Sequence, residues 1–172
     1  MRFLSAFFLS VLTASPCWTV EKPEAVCPYG VCGHVFHVGA AARARHFDAM
    51  QLAGIRYVRA GIYRDSPQEF ALGDSLLEQA EKCGIKVLMI IFGNEKDCCA
   101  VPRDLVAFSN YVDRVVRRYG DRVPVFEVWN EANLNGFFHG ADPAKYAKVL
   151  DVAYAAGKAA NPRCRFTFTG TS

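Results

Sequence analysis

Residues 126–133 read F-E-V-W-N-E-A-N, an apolar strand-like run that ends in an Asn-Glu pair. An amide and a carboxyl group side by side at the end of a buried strand suit acid catalysis of C–O bond cleavage. Glu131 would give a proton to a departing oxygen, and Asn130 would bond a neighbouring hydroxyl. Cleavage of a bond between sugars needs a second carboxylate as well, either to attack or to activate water. Glu127 lies on the same strand; a carboxylate there is costly to bury alone, so it is expected to pair with a basic group rather than to react.

The elements that must position these residues alternate along the chain. Short apolar runs at 31–38, 55–62, 86–92, 123–129 and 164–169 read as strands, and helical patterns fill the intervals at 40–53, 74–83, 102–119 and 143–161. Continuous runs such as V-L-M-I-I-F at 87–92 suit strands covered on both faces, as parallel strands are. Gly54, Gly84 and Gly120 each stand between a helical pattern and a strand, where a left-handed residue ends a helix without a β-carbon clash. Asp142-Pro143 supplies a capping side chain followed by a pre-set φ, and Pro102 is expected to open the preceding helix likewise. Repeated strand-helix units build either a doubly wound sheet or an eight-stranded barrel. No Gly-x-Gly-x-x-Gly and no P-loop follows any strand, so the dinucleotide- and nucleotide-binding versions lack their phosphate turns.

At 172 residues and 52% hydrophobic, the chain can bury a core and suggests one domain. Twenty basic and 17 acidic residues give a net charge of +3 with no long basic run, so nucleic acid is not an expected partner. Residues 1–19, with Arg2 before an apolar run, read as a secretory signal peptide, leaving 20–172 as the exported part, secreted or periplasmic. The seven cysteines suit an oxidising compartment, with Cys27 and Cys32 as the first local pair to consider. Their spacing offers no second Cys or His pair for a four-ligand zinc set, so neither a metal ion nor a cofactor is expected.

The stretch F-E-V-W-N-E-A-N-L-N-G-F-F (126–138), with Gly140-Ala141-Asp142 and Tyr146, resembles the fourth strand and loop of the retaining glycoside hydrolases with (β/α)8 barrels. Within that clan it is most similar to family 39, the β-xylosidase-like enzymes. A-G-I-R-Y-V-R at 53–59 is similar to the clan's second strand, and the likeness covers about 29–172. The resemblance implies an incomplete barrel of about five strand-helix units and a carbohydrate substrate. It makes Glu131 the acid/base, Asn130 the sugar-holding amide and Arg59 the support of the catalytic carboxylates. His34, by its place on the first strand, and Phe137, Phe138 and His139, as rings beside Glu131 on which a sugar face can stack, are expected to line the sugar site together with Trp129 and Asn133. His37 or Tyr63, Arg64 and Asp65 could also face it.

Ala132 and Phe138 stand where the family more often has Pro and Trp. The family's nucleophilic Glu comes from the seventh strand, whereas the last strand predicted here is the fifth. A full barrel takes about 250 residues, so the sequence reads as the N-terminal part of a longer enzyme, with the isolated chain inactive. The competing expectations are a non-catalytic carbohydrate-binding or interaction module and a half barrel completed by a second chain pairing at its exposed edges. Which sugar and linkage are cleaved does not follow from these residues.

Overall fold

Alternation along the strands decides which face the helices cover. The computed structural model describes residues 29–93 and 96–171; the expected signal peptide and the Cys27 end of the proposed pair lie outside them. The elements are β1 (Gly30–Cys32), α1 (Ala40–Leu52), β2 (Tyr57–Ile62), α2 (Pro67–Lys82), β3 (Lys86–Ile91), α3 (Leu105–Tyr119), β4 (Val125–Val128), α4 (Pro143–Ala160) and β5 (Phe166–Thr167). Val58, Ala60 and Ile62 of β2, Val87, Met89 and Ile91 of β3, and Phe126 and Val128 of β4 are buried and join one core with helix residues such as Leu76, Val112 and Val115. The residues between them, Arg59, Ile90, Glu127 and Thr167, belong to the opposite face.

All five strands are parallel and stand in chain order, β1-β2-β3-β4-β5. A doubly wound sheet reverses its order at a switch point where the ligand binds. This order never reverses, so the architecture is α/β of the (β/α)8 type, an incomplete barrel of five strands.

Several boundaries differ from those expected, for identifiable reasons. The first strand stops at Cys32 instead of reaching 38. The buried Arg43 side chain of α1 takes the carbonyls of Val35, Phe36 and Val38 at 2.9, 3.2 and 3.0 Å, so 33–39 folds over the end of α1 as a loop. Helix α2 begins at Pro67 rather than 74: Ser66 Oγ accepts the Glu69 N–H at 3.2 Å, and Pro67 opens the first turn. Helix α3 begins at Leu105, capped by Asp104, whose Oδ1 accepts Val106 and Ala107 N–H at 2.9 and 3.0 Å; Pro102 lies before it and does not open it. Gly54 and Gly84 have φ of 74° and 65° as expected. Gly120 does not: its φ is −61°. A β-carbon there would meet Val116 O at 2.6 Å and Asn161 Nδ2 at 2.9 Å, so close packing requires the glycine.

Gly157 plays the same part on α4, where a β-carbon would collide with the Phe166 ring of β5. That ring in turn stacks on Phe126 with centroids 5.7 Å apart. Gly157→Ala is expected to lower the unfolding free energy by about 1–3 kcal/mol through overpacking. A urea midpoint unchanged from the parent would show instead that Phe166 moves aside freely.

Candidate active site

On the face away from the helices, the guanidinium of Arg59 reaches from β2 across β3 to β4. Its Nε and Nη2 donate to Oε2 and Oε1 of Glu127 at 2.6 and 2.7 Å, and Nη2 donates also to Asn130 Oδ1 at 2.7 Å. The backbone N–H of Gly170, beyond β5, donates to Glu127 Oε1 at 2.8 Å. Glu127 is 3% exposed, so this set of donors compensates a carboxylate that has lost almost all of its hydration. The bidentate bond to Glu127 raises the Arg59 pKa despite burial, which keeps its charge fixed. Glu127 therefore has the basic partner expected of it. Arg59 departs from its expected role in one respect: the carboxylate it grips is Glu127, and its contact with the Asn-Glu pair is through the Asn130 amide oxygen. With that oxygen engaged, the amide NH2 is the group left to donate to a ligand.

The backbone after β4 explains how two consecutive residues come to share one surface. In a regular strand Asn130 and Glu131 would point to opposite faces. Here Trp129 and Glu131 have φ of 72° and 46°, a left-handed conformation that costs a side-chain-bearing residue of order 1–3 kcal/mol. The two reversals break the alternation, and Asn130 and Glu131 both line the same hollows. The conformation is held from several sides. Trp129 N–H donates to Ile91 O at 2.9 Å, Glu131 N–H to Gly170 O at 3.1 Å and Ala132 N–H to Thr169 Oγ1 at 3.2 Å. The Trp129 indole N–H donates to Phe137 O at 2.7 Å.

Two hollows meet at this pair. One, of about 330 Å³, lies toward β5 between Arg59, Glu127, Phe168 and Thr169. The other, of about 500 Å³, lies toward β1 and the loop after β3, and His34, His37, Tyr63, Phe92 and Phe137 contribute to its wall. Tyr63 stacks on Phe92 at 4.4 Å and 14°, and burial pushes its phenol pKa up, so the hydroxyl stays protonated. His37 is oriented by the buried Glu69, with Nε2 2.9 Å from Oε1. Glu69 holds the capping-box spacing after Ser66, yet its other oxygen accepts Tyr63 N–H at 3.3 Å.

His34, His37, Tyr63, Phe137, Asn130 and Glu131 line one hollow together. Trp129 and Phe138 do not line the site. Both are fully buried, packed edge to face at 5.2 Å beneath the strand end, because the reversal at Trp129 turns its ring toward Phe108 and the helices. Asn133 is exposed and lines neither hollow, and the exposed His139 stands by Asp97 with Nε2 3.5 Å from Oδ2. Arg64 is exposed, and Asp65 is paired with Arg114 on the helix side. Phe36, Phe92, Cys98 and Cys99 also line the larger hollow, and Glu69 supports it through His37, although nothing in the sequence near these residues links them to the site.

Comparison with solved structures places this architecture. The chain is similar to a monomeric β-xylosidase from Caulobacter crescentus (TM-score 0.59, 23% identity, 80% of this chain and 34% of that one). It is also similar to a GH39 enzyme from Xanthomonas axonopodis pv. citri (0.62, 22%, 80% and 34%) and a glucosidase from Croceicoccus marinus (0.66, 19%, 83% and 36%). The fold is part of the barrel that these structures share. The chain spans about a third of the length of these structures. No protein-family profile matches the sequence, and no curated protein matches it.

Arg59→Met leaves the Glu127 carboxylate buried with the Gly170 N–H as its remaining partner. It is expected to lower stability by about 3 kcal/mol, and adding Glu127→Leu should recover most of that loss. Urea unfolding of the single and double variants checks this; equal losses in both would mean that the charge pair is not the cause.

Proposed function

We propose that the chain carries the acid/base half of a retaining O-glycosidase site, with Glu131 as general acid and then general base. The observation that carries the reading is the presentation of Asn130 and Glu131 together at the end of β4, held by the reversed backbone and by Arg59, in a fold shared with glycosidases. Glu131 would protonate the leaving oxygen, and the Asn130 amide would bond the sugar hydroxyl beside the reacting carbon. Tyr63, Phe92 and Phe137 give the larger hollow apolar faces on which a sugar ring can rest. A β-xyloside or β-glucoside is the substrate class, by analogy with the neighbouring structures.

The second carboxylate must come from elsewhere. Among the described residues that line the two hollows, the carboxylates are Glu131 and Glu127. Glu127 is buried with both oxygens engaged by Arg59, so it cannot attack a sugar. The reading therefore places the nucleophile on chain outside the present sequence, in a longer form of the protein, and includes export directed by residues 1–19. β1 and β5 are the edges of the described sheet, which favours completion by a second chain as the competing account.

The 172-residue chain is expected to hydrolyse no aryl β-xyloside or aryl β-glucoside; ready turnover that vanishes in Glu131→Ala would refute the need for a second carboxylate. In a form extended until a Glu stands opposite Glu131, Glu131→Ala should lower turnover of unactivated substrates by about 10²–10⁴-fold. Azide should then restore turnover of activated aryl glycosides and yield a glycosyl azide of retained configuration. An azide product of inverted configuration, or no rescue, would exclude Glu131 as the acid/base.

A further inference from the structure

Two loops at the rim of the larger hollow bring together side chains that the sequence keeps 40 residues apart (139 − 99). After β3 the chain turns at 97–100, with Asp97 Oδ1 accepting the Cys99 N–H at 2.9 Å and Asp97 O accepting the Ala100 N–H at 3.0 Å. This turn puts the adjacent sulfurs of Cys98 and Cys99 3.9 Å apart. The ligand atoms of Asp97, Cys98 and Cys99 all lie within 4.8 Å of one another. The loop after β4 adds His139, whose backbone N–H donates to Cys99 O at 3.1 Å and whose Nε2 stands 3.5 Å from Asp97 Oδ2.

We infer that Asp97, Cys98 and Cys99 form a site for a single zinc-like divalent ion, and that the His139 imidazole, which stands beside Asp97 but outside the cluster of the other three donors, swings in as the fourth ligand, so that the ion clasps the loop after β3 to the loop after β4. Two thiolates, an imidazole and a carboxylate are a borderline-soft donor set that suits Zn²⁺ and not Mg²⁺ or Ca²⁺, which take oxygen ligands. Sulfurs at 2.3 Å from a tetrahedral ion stand about 3.8 Å apart, close to the separation of Cys98 and Cys99. The spacing of the cysteines in the sequence gave no four-ligand set, because the fourth ligand comes from a different loop. Cys98 and Cys99 line the same hollow as Glu131 and Phe137, so the ion would fix one wall of the cleft. The site is independent of the glycosidase reading, since it concerns only the joining of the two loops.

The test is a cobalt titration of the reduced, metal-stripped full chain. One equivalent of Co²⁺ should give a near-ultraviolet thiolate-to-cobalt charge-transfer band with the strong visible bands of tetrahedral cobalt, and Zn²⁺ should displace both. Cys98→Ser with Cys99→Ser should abolish the near-ultraviolet band. His139→Ala, at an exposed position, should weaken cobalt binding by at least about tenfold, the loss that even an outer partner of a metal ligand causes. The parent lacking the charge-transfer band, or the double serine variant keeping it, would overturn the proposal. So would a peptide containing residues 98–99 that is two hydrogens lighter than the dithiol in protein isolated without reductant, which would make the pair a disulfide. Should the double variant fail to fold, X-ray absorption of the zinc-loaded parent decides directly: a shell of two sulfurs and two nitrogen or oxygen atoms supports the site, and a sulfur-free shell overturns it.

Discussion

The guanidinium of Arg59 and the carboxylate of Glu127 hold the inner face of the sheet together. A parallel sheet with helices on one side must still fill its other side, and the inner layers of such barrels are usually bulky and apolar. Here a charged pair occupies the layer. Arg59 stands on β2 in register with Leu88 of β3, Glu127 stands on β4 in register with Ile90 of β3, and Gly170 beyond β5 supplies a further donor. Such a pair adds little net stability over apolar packing, but breaking it strands a charge. Its geometry therefore constrains the spacing of three strands and the path of the chain after the fifth.

The same guanidinium reaches Asn130, which ties the pair to the site. The side-chain direction of Asn130 is fixed by that bond, and the backbone that presents it is fixed by Trp129. Strain at Trp129 and Glu131 persists because buried packing and hydrogen bonds on both sides over-determine it. Trp129 is enclosed by Phe108, Phe92 and Phe138, and a β-carbon on Gly93 would meet its ring at 2.7 Å. Trp129, expected from the sequence to line the sugar site, is thus the anchor that lets its neighbours face the cleft.

The wall toward β1 is organised from the helix side. Arg43 gathers the carbonyls of the loop after β1 and so gives up a longer first strand for a loop that carries His34 and His37. Glu69, at the start of α2, then orients His37. Each is a charged residue with little exposure in a helix whose local pattern reads as ordinary. The aromatic stack of Tyr63 on Phe92 completes this wall.

The sequence by itself determined the order of strands and helices, the parallel class and the place of the Asn-Glu pair, because apolar period, glycine stops and capping residues act over a few neighbouring positions. The capping residues Ser66 and Asp104 and the left-handed ends at Gly54 and Gly84 are local signals of the same kind. Gly120 lies beyond such local signals, because what requires it is contact with Val116 and Asn161 and not its own φ. What the tertiary structure alone decided was the partner of each polar group: Arg59 with Glu127 and Asn130, Arg43 with the loop carbonyls, His37 with Glu69. It also decided that Trp129 and Phe138 turn inward while Asn130 and Glu131 share a face. Those outcomes depend on atoms brought together from distant parts of the chain, where a buried charge or a reversed φ is tolerated only if the surrounding fold supplies its partners.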